Sequence, residues 1–78
     1  MHTMVSTNLR TLRLEAGKKA QEDFAREAGL RVSTYRNIEH GRPTTFKKAS
    51  IILLTLNKLR EDNGLSCVTL EETGIVLA

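Results

Sequence analysis

Apolar residues recur at helical spacing along this 78-residue chain, and each run is cut short by a glycine. Leu9, Leu12 and Ala16 share one helical face, with Ser6 or Thr7 placed to cap the start and Gly17 to end it. After a short Lys18-Lys19-Ala20 connection, residues 21–28 carry Phe24, Ala25 and Ala28 on one side. Glu22, Asp23, Arg26 and Glu27 fall on the other, and Gly29 follows where positive φ allows a sharp turn. Val32, Tyr35 and Ile38 stand three apart in a helix expected over 31–40 and closed by Gly41. Its start is open by two residues, because Ser33 is a good N-cap and Arg31 a poor one. Arg42-Pro43 interrupts the chain, since the residue before proline disfavours helix. Thr44 or Thr45 then caps a fourth helix from Phe46 to about Asp62, ended by Asn63-Gly64. The pattern predicts an all-α fold, a compact bundle of four to five short helices forming a single domain over 1–78.

The fourth helix has an apolar stripe of Phe46, Ala49, Leu53 and Leu56, with Ile51, Ile52 and Leu54 adding apolar surface on its flanks. A helix apolar around most of its circumference is covered on more than one side. The carboxyl-terminal segment, 65–78, or a second copy of the protein is the expected cover. Within that segment Thr69-Leu70-Glu71-Glu72 fits a capping box opening a short helix. The alternative is a hairpin pairing 67–70 with 75–77 around Glu72-Thr73-Gly74. Aromatics number only three (Phe24, Tyr35, Phe46), and one cysteine, Cys67, allows no intrachain disulfide, so an aliphatic core must hold the fold. Cys67 reads as a small apolar packing residue.

Charge is unevenly distributed. The total is +3, but residues 31–48 alone carry Arg31, Arg36, Arg42, Lys47 and Lys48 against Glu39, a net +4. Residues 1–30 stand at +1 and residues 49–78 at −2. A central basic stretch suits a polyanion, nucleic acid before a membrane surface; the plainer alternative is a solvated basic face.

Gln21-Glu22-Asp23-Phe24-Ala25-Arg26-Glu27-Ala28-Gly29-Leu30, followed by Ser33-Thr34-Tyr35 and Asn37-Ile38-Glu39-His40-Gly41-Arg42, resembles the Cro/repressor helix-turn-helix family, the XRE-type regulators. The resemblance runs from about Leu9 to Leu56 and rests on the joint pattern of Gln21, Ala25, Gly29, Leu30, Ile38-Glu39 and Gly41. It implies a lambda-repressor-like fold with its core at about 7–62 and motif helices at about 21–28 and 31–40. Ala25 is small where the two helices cross, Gly29 sets their angle, and Leu30 and Ile38 anchor the second helix. The opposite side of that helix is then free to enter a major groove. Arg31, Val32, Ser33, Arg36 and Asn37 are the candidate base-contacting residues. Arginine can pair bidentately with guanine, asparagine with adenine, and valine can touch a thymine methyl.

A glutamine at the start of the first motif helix usually grips a phosphate in this family, and Gln21 occupies that place, with its backbone N–H at a helix N-terminus. Arg42, Thr44, Thr45, Lys47 and Lys48 are the further candidate phosphate contacts. Arg13 and Glu39 are carried over as a structural pair. Two departures are visible: the link before Gln21 is one residue longer than usual and lacks the customary apolar residue and polar cap. Arg31 stands where the recognition helix is usually capped by Ser or Thr.

Other chemistries find little support. His2, His40 and Cys67 do not make a metal-ligand spacing, and no nucleophile–histidine arrangement or glycine-rich phosphate loop is present. No enzyme activity, cofactor or metal is expected. The longest uninterrupted apolar run, residues 51–54, is far too short to span a membrane, and residues 1–6 do not resemble a secretory signal. With a single cysteine, a reducing cytoplasmic location is the natural expectation. Two functions remain: a sequence-specific regulator of double-stranded DNA, expected as a homodimer reading half-sites ~34 Å apart, and a protein-interaction module, such as an antitoxin or adaptor. The second would use the apolar fourth helix and tail, with DNA binding secondary.

Overall fold

The computed structural model of the chain describes residues 7–18 and 20–78. Ser6, one of the two expected caps of the first helix, and Lys19, in the link after it, lie outside the described residues. Five helices follow in order: α1 (Leu9–Glu15), α2 (Gln21–Ala28), α3 (Val32–Glu39), α4 (Phe46–Asp62) and α5 (Leu70–Thr73). Among the described residues the sole β pairing is an isolated parallel bridge between Thr44 and Leu77.

Glycine ends the helices by one repeated device. At Gly29 (φ 74°) the N–H of Leu30 donates to the carbonyl of Ala25, and that of Gly29 to Arg26. At Gly41 (φ 100°) Arg42 donates to Asn37 and Gly41 to Ile38. These paired bonds satisfy carbonyls that a helix end leaves without partners, and they need a left-handed residue that L side chains disfavour. The same two bonds recur at Gly17 and Gly64.

The core is built from Leu9, Ala16, Phe24, Ala25, Tyr35, Ile38, Ile52, Leu56 and Leu59. Phe24 and Tyr35 meet across α2 and α3 with ring centroids 4.9 Å apart and planes inclined by 44°. The buried face of α4 is Ala49, Ile52, Leu56 and Leu59. This corrects the stripe expected from the sequence: Leu56 and Ala49 are buried, but Leu53 is half-buried and Phe46 is 65 % exposed. Leu54 is 72 % exposed. With apolar residues on so many sides, spacing alone does not say which arc turns inward.

The tail adopts the short helix rather than the hairpin. Thr69 and Glu72 bond reciprocally: the Glu72 N–H donates to Thr69 Oγ1 (3.2 Å), and the Thr69 N–H donates to Glu72 Oε1 (2.8 Å). The tail is fastened to α4 by Asn57, whose amide donates to the Val68 carbonyl (2.9 Å) and accepts from the Val68 N–H (2.8 Å). It is fastened to the start of α1 as well, where the Asn8 N–H donates to the Thr73 carbonyl (2.8 Å). Val68 and Ile75 pack on the core. Cys67, expected to pack, is exposed.

Candidate nucleic-acid interface

Helix α3 presents two unlike sides. Tyr35, Ile38 and Glu39 are buried, whereas Ser33, Arg36, Asn37 and His40, at helical spacing, are exposed. Arg31 is the N-cap residue, exposed and in extended conformation, with no side-chain hydrogen bond to the helix. The ambiguity over the start of this helix is thereby resolved at Val32. Val32 itself is half-buried and packs against the core, so it offers a smaller surface than the sequence suggested.

Arg42 follows directly, placed by the two bonds that close α3 at Gly41, and it is exposed. Helix α4 then begins with Thr45, whose Oγ1 accepts from the Lys48 N–H at 3.3 Å. That bond leaves the hydroxyl proton available as a donor. Thr45, Lys47 and Lys48 are exposed. Thr44, expected at a phosphate, is only 7 % exposed. Its N–H donates to Val76 (2.9 Å) and its carbonyl accepts from Ala78 (2.8 Å), so the tail bridge draws it into the protein.

Beneath α3 lies a buried polar cluster. The Glu39 carboxylate accepts from Arg13 Nε (3.1 Å) and Nη2 (3.4 Å), from the Tyr35 hydroxyl (2.6 Å) and from Gln21 Nε2 (2.7 Å). Arg13 also donates from Nη1 to the Lys18 carbonyl at 3.0 Å. The Arg13 and Glu39 side chains are 4 % and 6 % exposed. Burial alone would raise the Glu39 carboxyl, but the hydrogen bonds from Arg13, Tyr35 and Gln21 outweigh it and hold the group below the ordinary carboxylate value. Burial, reinforced by Glu39, pushes the Tyr35 phenol far above its ordinary value. The backbone of Glu39 is held too, its carbonyl accepting from Thr7 Oγ1 at 2.8 Å. Gln21 also faces outward: its Oε1 accepts from Arg36 Nε at 3.0 Å. Tyr35 and Thr7 were not singled out as site residues by sequence reasoning. The i, i+4 spacing of Tyr35 and Glu39 on one helix was the available signal for the first.

Several cations elsewhere are neutralised locally: Lys18 by Glu27 (3.0 Å), Arg26 by Asp23 (3.4 Å) and Arg60 by Glu15 (3.1 Å). Among the described residues no carboxylate lies within ion-pair distance of Arg31, Arg36, Arg42, Lys47 or Lys48. The basic excess of 31–48 therefore remains as field at the outer side of α3 and the start of α4.

The helix-turn-helix family model matches residues 9–63, most of the chain. The protein belongs to the Cro/repressor-type (XRE) helix-turn-helix family. As a helix-turn-helix protein it carries a DNA-binding domain of the transcription-regulator type, and its partner class is DNA. No curated protein and no solved structure matches the chain. Among the described residues no helix is long and apolar enough to cross a membrane.

Proposed function

We propose that this helix-turn-helix protein is a sequence-specific transcriptional regulator that lays α3 in the major groove of double-stranded DNA. The observation that carries the reading is the exposed side of α3, where Ser33, Arg36 and Asn37 face outward beside cations with no carboxylate of the described residues within ion-pair distance. Arg36 suits a guanine edge and Asn37 an adenine edge, with Arg31, Ser33 and the exposed part of Val32 at the rim of the same groove. Arg42, Thr45, Lys47 and Lys48 are assigned to phosphates, with the backbone N–H groups at the start of α2, Gln21 first, on the flanking strand. These contacts set register and supply the salt-dependent part of the affinity.

The experiment is selection of random duplex DNA by the purified protein at about 0.1–0.15 M salt, where non-specific attraction is partly screened. Enrichment of one motif supports the reading, and an inverted repeat adds dimeric binding. A folded sample that enriches nothing contradicts it.

A second reading rests on a separate observation. Phe46, Leu54 and Leu77 are 65 %, 72 % and 46 % exposed. Such apolar surface suits a protein contact. A second copy of the chain is the cover we favour, because dimers match the two-fold symmetry of paired half-sites. Binding of a different protein through these exposed side chains, with DNA secondary, is the reading that failed enrichment would favour.

A further inference from the structure

Gln21 occupies an unusual position between two groups of opposite hydrogen-bonding demand. On one side its Nε2 donates to Glu39 Oε1 at 2.7 Å; on the other its Oε1 accepts from Arg36 Nε at 3.0 Å. An ionised carboxylate can only accept, and a guanidinium can only donate. The amide therefore has one workable orientation, since turning it over would set oxygen against carboxylate and nitrogen against guanidinium. Glu39 in turn is immobilised by Arg13 and Tyr35 in the buried cluster. A chain of hydrogen bonds thus runs from the protein interior to an exposed arginine on α3.

We infer that Gln21 is a positioning residue for Arg36, holding that arginine ready to select a guanine. The inference rests on the proposed reading of α3. With Nε engaged by Gln21, Arg36 keeps its four terminal N–H donors, carried on two nitrogens in a planar fork. That end-on fork matches the N7 and O6 acceptors of guanine in the major groove. An exposed arginine otherwise samples many rotamers, and restricting it beforehand removes part of the ordering cost at binding. The family resemblance points Gln21 at a phosphate; here one Nε2 N–H is committed to Glu39 and Oε1 to Arg36, which adds a positioning role to whatever contact the second N–H makes.

Two measurements test this. The first needs no DNA: ¹⁵N relaxation of the Arg36 Nε–Hε group in the free protein. The wild type should show a restricted side chain, and both Gln21→Ala and the length-matched Gln21→Met should release it, with the α3 backbone unchanged. Equal Arg36 mobility in all three proteins would overturn the inference. The second is a double-mutant cycle with Gln21→Ala and Arg36→Ala, read on the selected operator and on operators with single base pairs replaced. Gln21→Ala should lose about 3- to 10-fold of the preference at the base pair that Arg36 reads, from the cost of one unrestrained side chain. It should lose nothing further in the Arg36→Ala background. A Gln21→Ala loss equal on every duplex and persisting without Arg36 overturns the positioning role while leaving the reading of α3 intact. If Arg36→Ala leaves the preference at every base pair unchanged, the reading of Arg36 falls, and the inference with it.

Discussion

Removal of the Arg13 side chain would leave the Glu39 carboxylate, at 6 % exposure, with Tyr35 and Gln21 as its remaining side-chain donors. A buried charge that loses its partner typically costs about 3–5 kcal/mol, so Arg13→Ala should melt well below the wild type, by at least about 12 °C for a domain of this size. Superimposable thermal melts would contradict a structural role for the pair. The same cluster fixes an acid limb of stability. Glu39 is held below its ordinary value when folded, so the unfolded chain takes up the proton first as pH falls. Its stabilisation is complete above the ordinary carboxylate range and is lost as pH drops below about 4.3. Urea melts across that window should show Glu39→Gln less pH-dependent than the wild type; parallel curves would count against it. The Arg13–Glu39 pairing was legible through the family resemblance. The Tyr35 hydroxyl was not, because an aromatic spaced three residues from Val32 and Ile38 reads as core. Tyr35 is core, and its polar end serves the carboxylate as well.

Helix limits were largely readable because glycine termini have a backbone cause. Gly29 at φ 74° has no atom within 4 Å of where a Cβ would sit, so the cost of Gly29→Ala is conformational alone. About 1–2 kcal/mol is expected for a left-handed alanine, measured by urea denaturation, and an unchanged midpoint would contradict that assignment. That Arg31 rather than Ser33 is the N-cap of α3 was not readable, since Arg31 makes no side-chain bond to announce itself. Thr44 misled for a different reason. A threonine before a basic helix start looks available to phosphate, and only the long-range bridge to Leu77 reveals that it is buried. Phe46 in α4 misled because an apolar residue in register with the core was assumed to be inside it.

Across the whole molecule, the proposed reading gives the apolar and the cationic surfaces separate tasks. Phe46 and Leu54 are exposed on α4, so polar replacement leaves the core intact. The Phe46→Ser, Leu54→Ser double variant should keep its helical circular dichroism and sediment as a monomer where the wild type sediments as a dimer. A wild type monomeric at all concentrations would remove the second copy as the cover for these side chains. The cationic side, 31–48, was visible in the linear sequence as a charge excess. Its freedom from ion pairs among the described residues was not, because Lys18, Arg26 and Arg60 look equally available until their carboxylate partners are seen.

On the proposed reading α3 reads bases while the start of α4 holds the DNA backbone. Affinities of Arg36→Ala and Lys47→Ala, measured on the selected operator and on a set of single-base replacements over a range of salt, test it most directly. Arg36→Ala should lose about 1–3 kcal/mol of discrimination at one base pair. Lys47→Ala should weaken every duplex alike and lower the salt slope by about one. Uniform losses from both variants, with no base pair singled out, would contradict this division of roles between α3 and α4.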